Sequence, residues 1–136
     1  LFGKRIPIFR WGRKRDTGVF GEREAGRYLQ RKHGFTIVAR NWRNPNNRRE
    51  EIDLVCREGE VLVFVEVKTR RGGDVLQAYY AVNWKKKRTL RRACRSYLKQ
   101  LGGREPCYRF DIVTVSPGAH KRETEIHHYR NVSLFS

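Results

Sequence analysis

Two short stretches hold side chains whose types and spacing suit hydrolysis of a phosphate ester. Glu66-Val67-Lys68 follows the apolar run Val61-Leu62-Val63-Phe64-Val65. Side chains alternate along an extended chain, so Glu66 and Lys68 share a face with Leu62 and Phe64. Charge on the face of a central strand is costly unless it is paired or metal-bound. A mutual Glu66–Lys68 ion pair, or a frayed strand end, would account for this pattern without chemistry. The second stretch is Glu51-Ile52-Asp53-Leu54-Val55. Alternation predicts Glu51 and Asp53 on one face and Ile52 and Leu54 on the other. A hairpin between the two stretches sets Asp53 beside Glu66. Adjacent carboxylates repel, and each raises the other's pKa unless a cation lies between them. A hard divalent ion, Mg²⁺ or Mn²⁺, suits that place, because such ions use one or two carboxylates with water and substrate phosphate. Lys68 then stands where an ammonium can orient the attacking water or neutralise charge on the scissile phosphate.

Further candidates are weighed against simpler roles. Glu22 lies three residues before Ala25 and seven before Leu29, on the inward stripe of a helix. It can reach a metal through water, or it can favour its own helix N-terminus; the two readings balance. Lys86 lies four after Val82 and four before Leu90, inside an apolar stripe. Snorkelling of its long stem explains that better than a reach into the site. Asp111 is expected to pair with a neighbouring Arg. His33, His120, His127 and His128 show neither triad nor zinc spacing and are read as structural. Cys56, Cys94 and Cys107 are odd in number and widely spaced, and each is read as a small buried hydrophobe in a reducing compartment. No Ser nucleophile motif and no phosphate-cradling P-loop occurs.

The elements that must position these groups follow from periodicity and turn signals. Asp16 or Thr17 offers an N-cap for a helix over 18–33, closed by Gly34 in the C′ role. Strands are predicted over 35–42, 51–57, 61–69, 108–115 and 125–130. Asn44-Pro45-Asn46-Asn47 reads as a turn, and Glu58-Gly59-Glu60 as the tight connection of a hairpin. The apolar run from Val61 is hydrophobic on both faces, which predicts a central strand. A second helix spans 82–101, with Leu90, Ala93, Cys94, Tyr97, Leu98 and Leu101 on one face. A short helical turn is expected over 75–80, and Ser116-Pro117-Gly118 reads as a turn. The order is α-β-β-β-α-β-β, an α/β chain.

The chain has 136 residues, 38% of them hydrophobic with 16 aromatics, enough for one buried core. Its formal net charge is +17. Residues 1–15 carry six basic side chains (Lys4, Arg5, Arg10, Arg13, Lys14, Arg15), and residues 82–100 carry eight (Lys85, Lys86, Lys87, Arg88, Arg91, Arg92, Arg95, Lys99). Neither segment contains an acid, and the other 102 residues hold a net charge of only +3. Such single-sign blocks repel themselves unless a polyanion neutralises them, so nucleic acid is the expected partner. Residues 1–17 are expected to form a poorly ordered basic arm and residues 18–136 a single domain. No apolar run reaches membrane-spanning length, and residues 1–15 do not read as a signal peptide. The expected location is the cytoplasm, and the reading leaves room for a homodimer. The chain contains no Met, so its native start is expected to be missing or removed.

The residues that could do chemistry also carry a resemblance. A helix Glu, then Glu-Ile-Asp-Leu-Val, then Val-Phe-Val-Glu-Val-Lys-Thr-Arg is similar to the PD-(D/E)xK nuclease superfamily. More closely the chain resembles the YraN family of uncharacterised bacterial endonuclease-like proteins. The similarity runs from Gly21-Glu22 through Arg40-Asn41-Trp42-Arg43, Glu51 to Asp53 and Phe64 to Arg70. It continues through Val82, Lys86 and Leu90 to Arg109-Phe110-Asp111-Ile112-Val113 and the Ile126/Asn131 segment. It implies a restriction-endonuclease-like core, a central mixed β-sheet flanked by helices. It further implies Asp53 and Glu66 as metal ligands and Lys68 as the catalytic lysine. Glu22 and Glu51 match further acidic positions, and Gln77 is spaced from Lys68 much as a Gln motif is in some related nucleases. One departure is Glu50, which stands where the family usually has Gly and could crowd the approach of DNA. The functional expectation is a Mg²⁺- or Mn²⁺-dependent endonuclease acting on DNA, with Lys85, Lys86, Lys87, Arg88, Arg91, Arg92, Arg13, Lys14 and Arg15 on the phosphate backbone. Its rivals are a junction-resolvase-like enzyme selective for branched DNA and a binding protein that keeps the nuclease fold without cleavage.

Overall fold

A computed structural model describes residues 14–69, 84–117 and 123–134, with the backbone alone at 14–17, 84 and 117. The elements are α1 (Lys14–His33), β1 (Thr36–Asn44), β2 (Asn47–Glu58), β3 (Val61–Thr69), α2 (Trp84–Gln100), β4 (Tyr108–Pro117) and β5 (Thr124–Tyr129). The order is the one periodicity predicts. The first helix starts four residues before the predicted 18, within the stretch assigned to the arm. Lys14 to Thr17 contains neither Pro nor Gly, and Lys and Arg are good helix formers. Asp16 and Thr17 therefore lie inside α1 instead of capping it. The rest of the arm, the predicted turn at 75–80 with Gln77, and His120 lie outside the described residues.

Gly34 ends α1 as its C′ position requires. Its φ is 67°, its N–H donates to the Gln30 carbonyl at 3.1 Å, and Phe35 N–H donates to the Leu29 carbonyl at 3.0 Å. That pair of bonds satisfies carbonyls the last turn would leave open.

The five strands form one mixed sheet in the order β1-β2-β3-β4-β5. Neighbours are antiparallel except β3 and β4, which run parallel. A parallel pair needs a crossover, and α2 is contained in the segment that makes it. Helix α1 packs on one face of the sheet and α2 on the other, so β3 is apolar on both sides. Val63 and Val65 meet Ala25, Leu29, Val113 and Val115 on the α1 side. Leu62 and Phe64 meet Leu90, Ala93, Cys94 and Tyr97 on the α2 side. A fully buried side chain of this size contributes roughly 1.5–3 kcal/mol. Cys56 and Cys94 are buried free thiols as predicted, but Cys107 is exposed, because it ends the irregular segment before β4.

Asp111, fully buried on β4, ties the far end of the sheet together. It accepts from Arg109 Nε at 2.9 Å and Nη2 at 3.1 Å, and from Asn131 N–H at 2.9 Å; His128 Nε2 lies 2.8 Å away. Burial alone would raise its pKa, but His128, Arg109 and the Asn131 N–H hold it below the usual value. Arg109 also donates to Glu58 at 2.9 Å, so β2 and β4 are linked around the intervening β3. The expected Arg–Asp111 pair and a structural His128 are both present.

Candidate functional site

The β2–β3 ladder runs from Glu58↔Val61 to Leu54↔Val65 and ends there. Continuing the same register places Asp53 opposite Glu66, the adjacency predicted from the hairpin. Where the main-chain ladder stops, Val67 N–H donates instead to Asp53 Oδ2 at 2.8 Å. Both carboxylates are buried, Asp53 to 9% exposure and Glu66 to 4%. Burial first, and then the charge of Glu66, raise the Asp53 pKa from 3.8 to about 8, against the opposing Val67 N–H. A side-chain hydrogen bond between Asp53 and Glu66 adds to that rise.

Strict alternation fails at this point. Ile52 joins the α2-side core and Leu54 the α1-side core, so the two do not share a face as predicted. On β1, Ala39 and Trp42, three residues apart, both pack against the α2-side cluster. Between them Asn41 takes a left-handed φ of 51°. The pairs Arg40↔Leu54 and Trp42↔Ile52 bracket Asn41 and set it opposite Asp53. One left-handed residue turns β1 over, and its partner strand turns with it. Asn tolerates that conformation better than most residues.

Glu66 faces α2, two residues beyond Phe64. Its Oε1 lies 3.2 Å from Lys68 Nζ and 3.5 Å from Lys86 Nζ. The Glu66–Lys68 pair allowed by alternation is thus present, and a second lysine joins it from α2. Lys86 therefore reaches this carboxylate, the contact weighed against snorkelling, while its side chain stays 44% exposed, so the long stem meets both the site and solvent. Glu22 comes from the opposite helix. With α1 beginning at Lys14, Glu22 is two turns inside, beyond the reach of its helix terminus. Its side chain hydrogen-bonds Asn41. Burial raises its pKa first, and the charges of Glu51 and Glu66 raise it further, against the Asn41 bond and Arg40. Gly21 brings α1 this close, since a Cβ there would overlap Thr69 Cγ2. Beyond Glu22 and Asn41 opens a hollow of about 520 Å³, lined also by Arg23, Arg27, Arg31 and Arg40.

Other predicted residues stand apart. Glu51 lies at the rim, half-exposed, with Arg43 Nη2 at 3.4 Å. Glu50 does not crowd the carboxylates: Asn44 Nδ2 and Ser96 Oγ each donate to it at 2.7 Å, tying β1 and β2 to α2. Those two bonds hold its pKa below the usual range. On α2, Lys85, Lys86, Arg88 and Arg92 are exposed and Lys87 and Arg91 half-buried, and its first turn contains no acid. Arg13 lies outside the described residues, and Lys14 and Arg15 are described by backbone alone.

Two contributors were not predicted from the sequence. Asn41 is one; an Asn in the middle of a strand was the signal that could have found it. Thr114 is the other. It pairs in register with Lys68, and its buried hydroxyl has no hydrogen-bond partner among the described residues. Unpartnered buried hydroxyls are rare and call for water or a ligand.

Among the described residues, no three or more His, Cys, Asp or Glu side chains gather as a metal cage. Asp53 and Glu66 supply two hard oxygen donors side by side. That is the number and type magnesium takes from a protein when water and substrate phosphate complete its shell. The donor chemistry therefore fits a substrate-completed divalent site.

The profile of the uncharacterised protein family UPF0102 matches residues 21–115, a span that contains Glu22, Asp53, Glu66, Lys68 and Lys86. A UPF0102 protein of Koribacter versatilis is 48% identical over 99 residues, covering 73% of this chain and 67% of its own. One from Symbiobacterium thermophilum is 46% identical over 104 residues, with 76% and 85% covered. One from Alkaliphilus metalliredigens is 35% identical over 117 residues, with 86% and 96% covered.

Proposed function

The chain belongs to the UPF0102 family, which is the YraN family, and from the buried Asp53–Glu66 pair beneath two lysines we propose that it is a metal-dependent nuclease acting on DNA. The observation that carries this reading is the pairing itself. Two carboxylates buried together repel when both are ionised, and a divalent ion held between them offsets that repulsion. Asp53 and Glu66 would hold the ion. A bound Mg²⁺ or Mn²⁺ supplies Lewis-acid stabilisation of charge on a phosphodiester. Asp53 is oriented by the Val67 N–H, which fixes one of its oxygens. Lys68 holds its ammonium next to Glu66, placed to orient the attacking water or to meet the phosphate. Glu22, held by Asn41, stands one layer further out and acts through water. Glu51 is left at the rim with Arg43. The basic side chains of α2 carry the phosphate backbone towards the carboxylates.

The test is incubation of the purified protein with linear, single-stranded and branched DNA, with and without Mg²⁺ or Mn²⁺. Cleavage that requires the metal is expected. Asp53→Ala and Glu66→Ala should each abolish it while leaving DNA binding intact or tighter, since each removes negative charge facing the phosphate. Cutting at the wild-type rate by either variant would sink the assignment. The branched substrate separates a general nuclease from a junction-selective one.

A further inference from the structure

We infer that Lys86 is a second lysine of the site, working on the scissile phosphate itself and not along the backbone with its neighbours; the inference rests on the nuclease reading.

Lys86 sits in the first turn of α2 among Lys85 and Lys87, with no acid in that turn. Cations there oppose the positive end of the helix dipole, so the cluster does not serve the helix. Of the contacts these three side chains could make, the one to Glu66 is distinctive. It brings an ammonium from the helix layer onto a carboxylate buried in the sheet layer. Lys68 already occupies the same oxygen at 3.2 Å. One carboxylate oxygen accepts two donors, so the metal-free arrangement is satisfied.

Asp53, once its proton is released, and Glu66 would together offset a divalent ion held between them, and the two ammonium charges of Lys68 and Lys86 would then be left for the substrate. Lys68 is held on the strand beside Glu66. Lys86 is 44% exposed on a long stem and can turn outward to a phosphate oxygen. A phosphodiester carries one negative charge in the ground state and gains a second as the attacking water gives up a proton to bulk solvent. Lys68 matches the first charge and Lys86 the second. A group that meets charge developing only during reaction raises the rate more than the affinity.

The experiment compares Lys86→Ala with Lys99→Ala, which removes the same charge from the far end of α2. Mn²⁺ affinity is measured calorimetrically without DNA, and the cleavage rate by single turnover at saturating DNA. Removing Lys86 frees Glu66 of a competing cation. Mn²⁺ should therefore bind about threefold tighter to Lys86→Ala, the scale of a partly exposed ion pair, and unchanged to Lys99→Ala. The single-turnover rate should fall about 10²-fold in Lys86→Ala alone. Equal behaviour of the two variants in both assays would return Lys86 to an ordinary backbone contact. Weaker Mn²⁺ binding, or loss of the fold, in Lys86→Ala would make it a structural partner of Glu66. If wild-type protein and Asp53→Ala both fail to bind Mn²⁺, the nuclease reading falls and takes this inference with it. If Asp53→Ala alone loses Mn²⁺, a negative Lys86 result counts against Lys86 only.

Discussion

Asp53 is the residue on which the metal-free state turns. Its folded pKa stands at about 8 against 3.8 ordinarily, through burial and then through Glu66. The folded protein thus keeps a proton that the unfolded chain gives up. Between those values the unfolded state binds fewer protons, so this group makes stability fall as pH rises from about 4 to about 8. Asp53→Asn fixes the neutral form and keeps an acceptor for the Val67 N–H. Without metal, the variant should melt above wild type, by a margin that widens from pH 5 to pH 8.5. Mn²⁺ should raise the wild-type melting temperature and leave the variant unmoved. Thermal melts at both pH values, with and without Mn²⁺, check this; a constant margin would mean that Asp53 is ionised in the empty fold.

At the scale of elements, α1 must lie close on β3 for Glu22 to reach Asn41, and Gly21 sets that distance. A methyl at position 21 falls well inside the van der Waals radius of Thr69 Cγ2 and lies 3.7 Å from Val67 Cγ1. Thr69 is β-branched and stiff, so relief requires a rotamer change or a lifted helix. Ala favours helix over Gly by about 1 kcal/mol, while overpacking costs about 1–3 kcal/mol. Steric cost should win, so Gly21→Ala is expected to lower stability in urea. Adding Thr69→Ser, which removes the offending methyl, should recover most of the loss. A simple gain of stability in Gly21→Ala would show that α1 rides higher than the contact implies. The helix stripe of Ala25 and Leu29 was legible from spacing, because both face one core. The closeness of approach was not, because it depends on which residue of β3 lies beneath Gly21.

Across the whole molecule, the net charge of +17 is unevenly spread, and α2 displays a basic row free of acid in its first turn. No helix among the described residues is long and apolar enough to cross a membrane. If about six phosphates are neutralised, DNA affinity should fall by roughly 10³ between 50 and 200 mM salt. Replacing Lys85, Lys87 and Arg88 by Gln should flatten the slope of log affinity against log salt by about 1 for each phosphate left without its cation. Binding titrations across that salt range measure both. A slope unchanged by the triple variant would place the backbone elsewhere, with the arginine-lined hollow beside α1 the next surface to test.

Local periodicity by itself determined the element order, the two-faced burial of β3 and the Asp53–Glu66 adjacency. The last was readable because a two-residue connection at Gly59-Glu60 fixes the hairpin register, and register fixes which side chains stand opposite. Tertiary structure decided the rest. The turn-over at Asn41 and Asp53 needs both strands, since one left-handed residue reorients a partner that carries no signal of its own. Thr114 meets Lys68 through the parallel β3–β4 pairing, whose register is set across a crossover and not by a turn. Lys86 shared its stripe with Leu90 in the sequence, and a stripe shows which face of a helix turns inward. Only the packing of α2 against the sheet decides that this half-exposed lysine also meets Glu66.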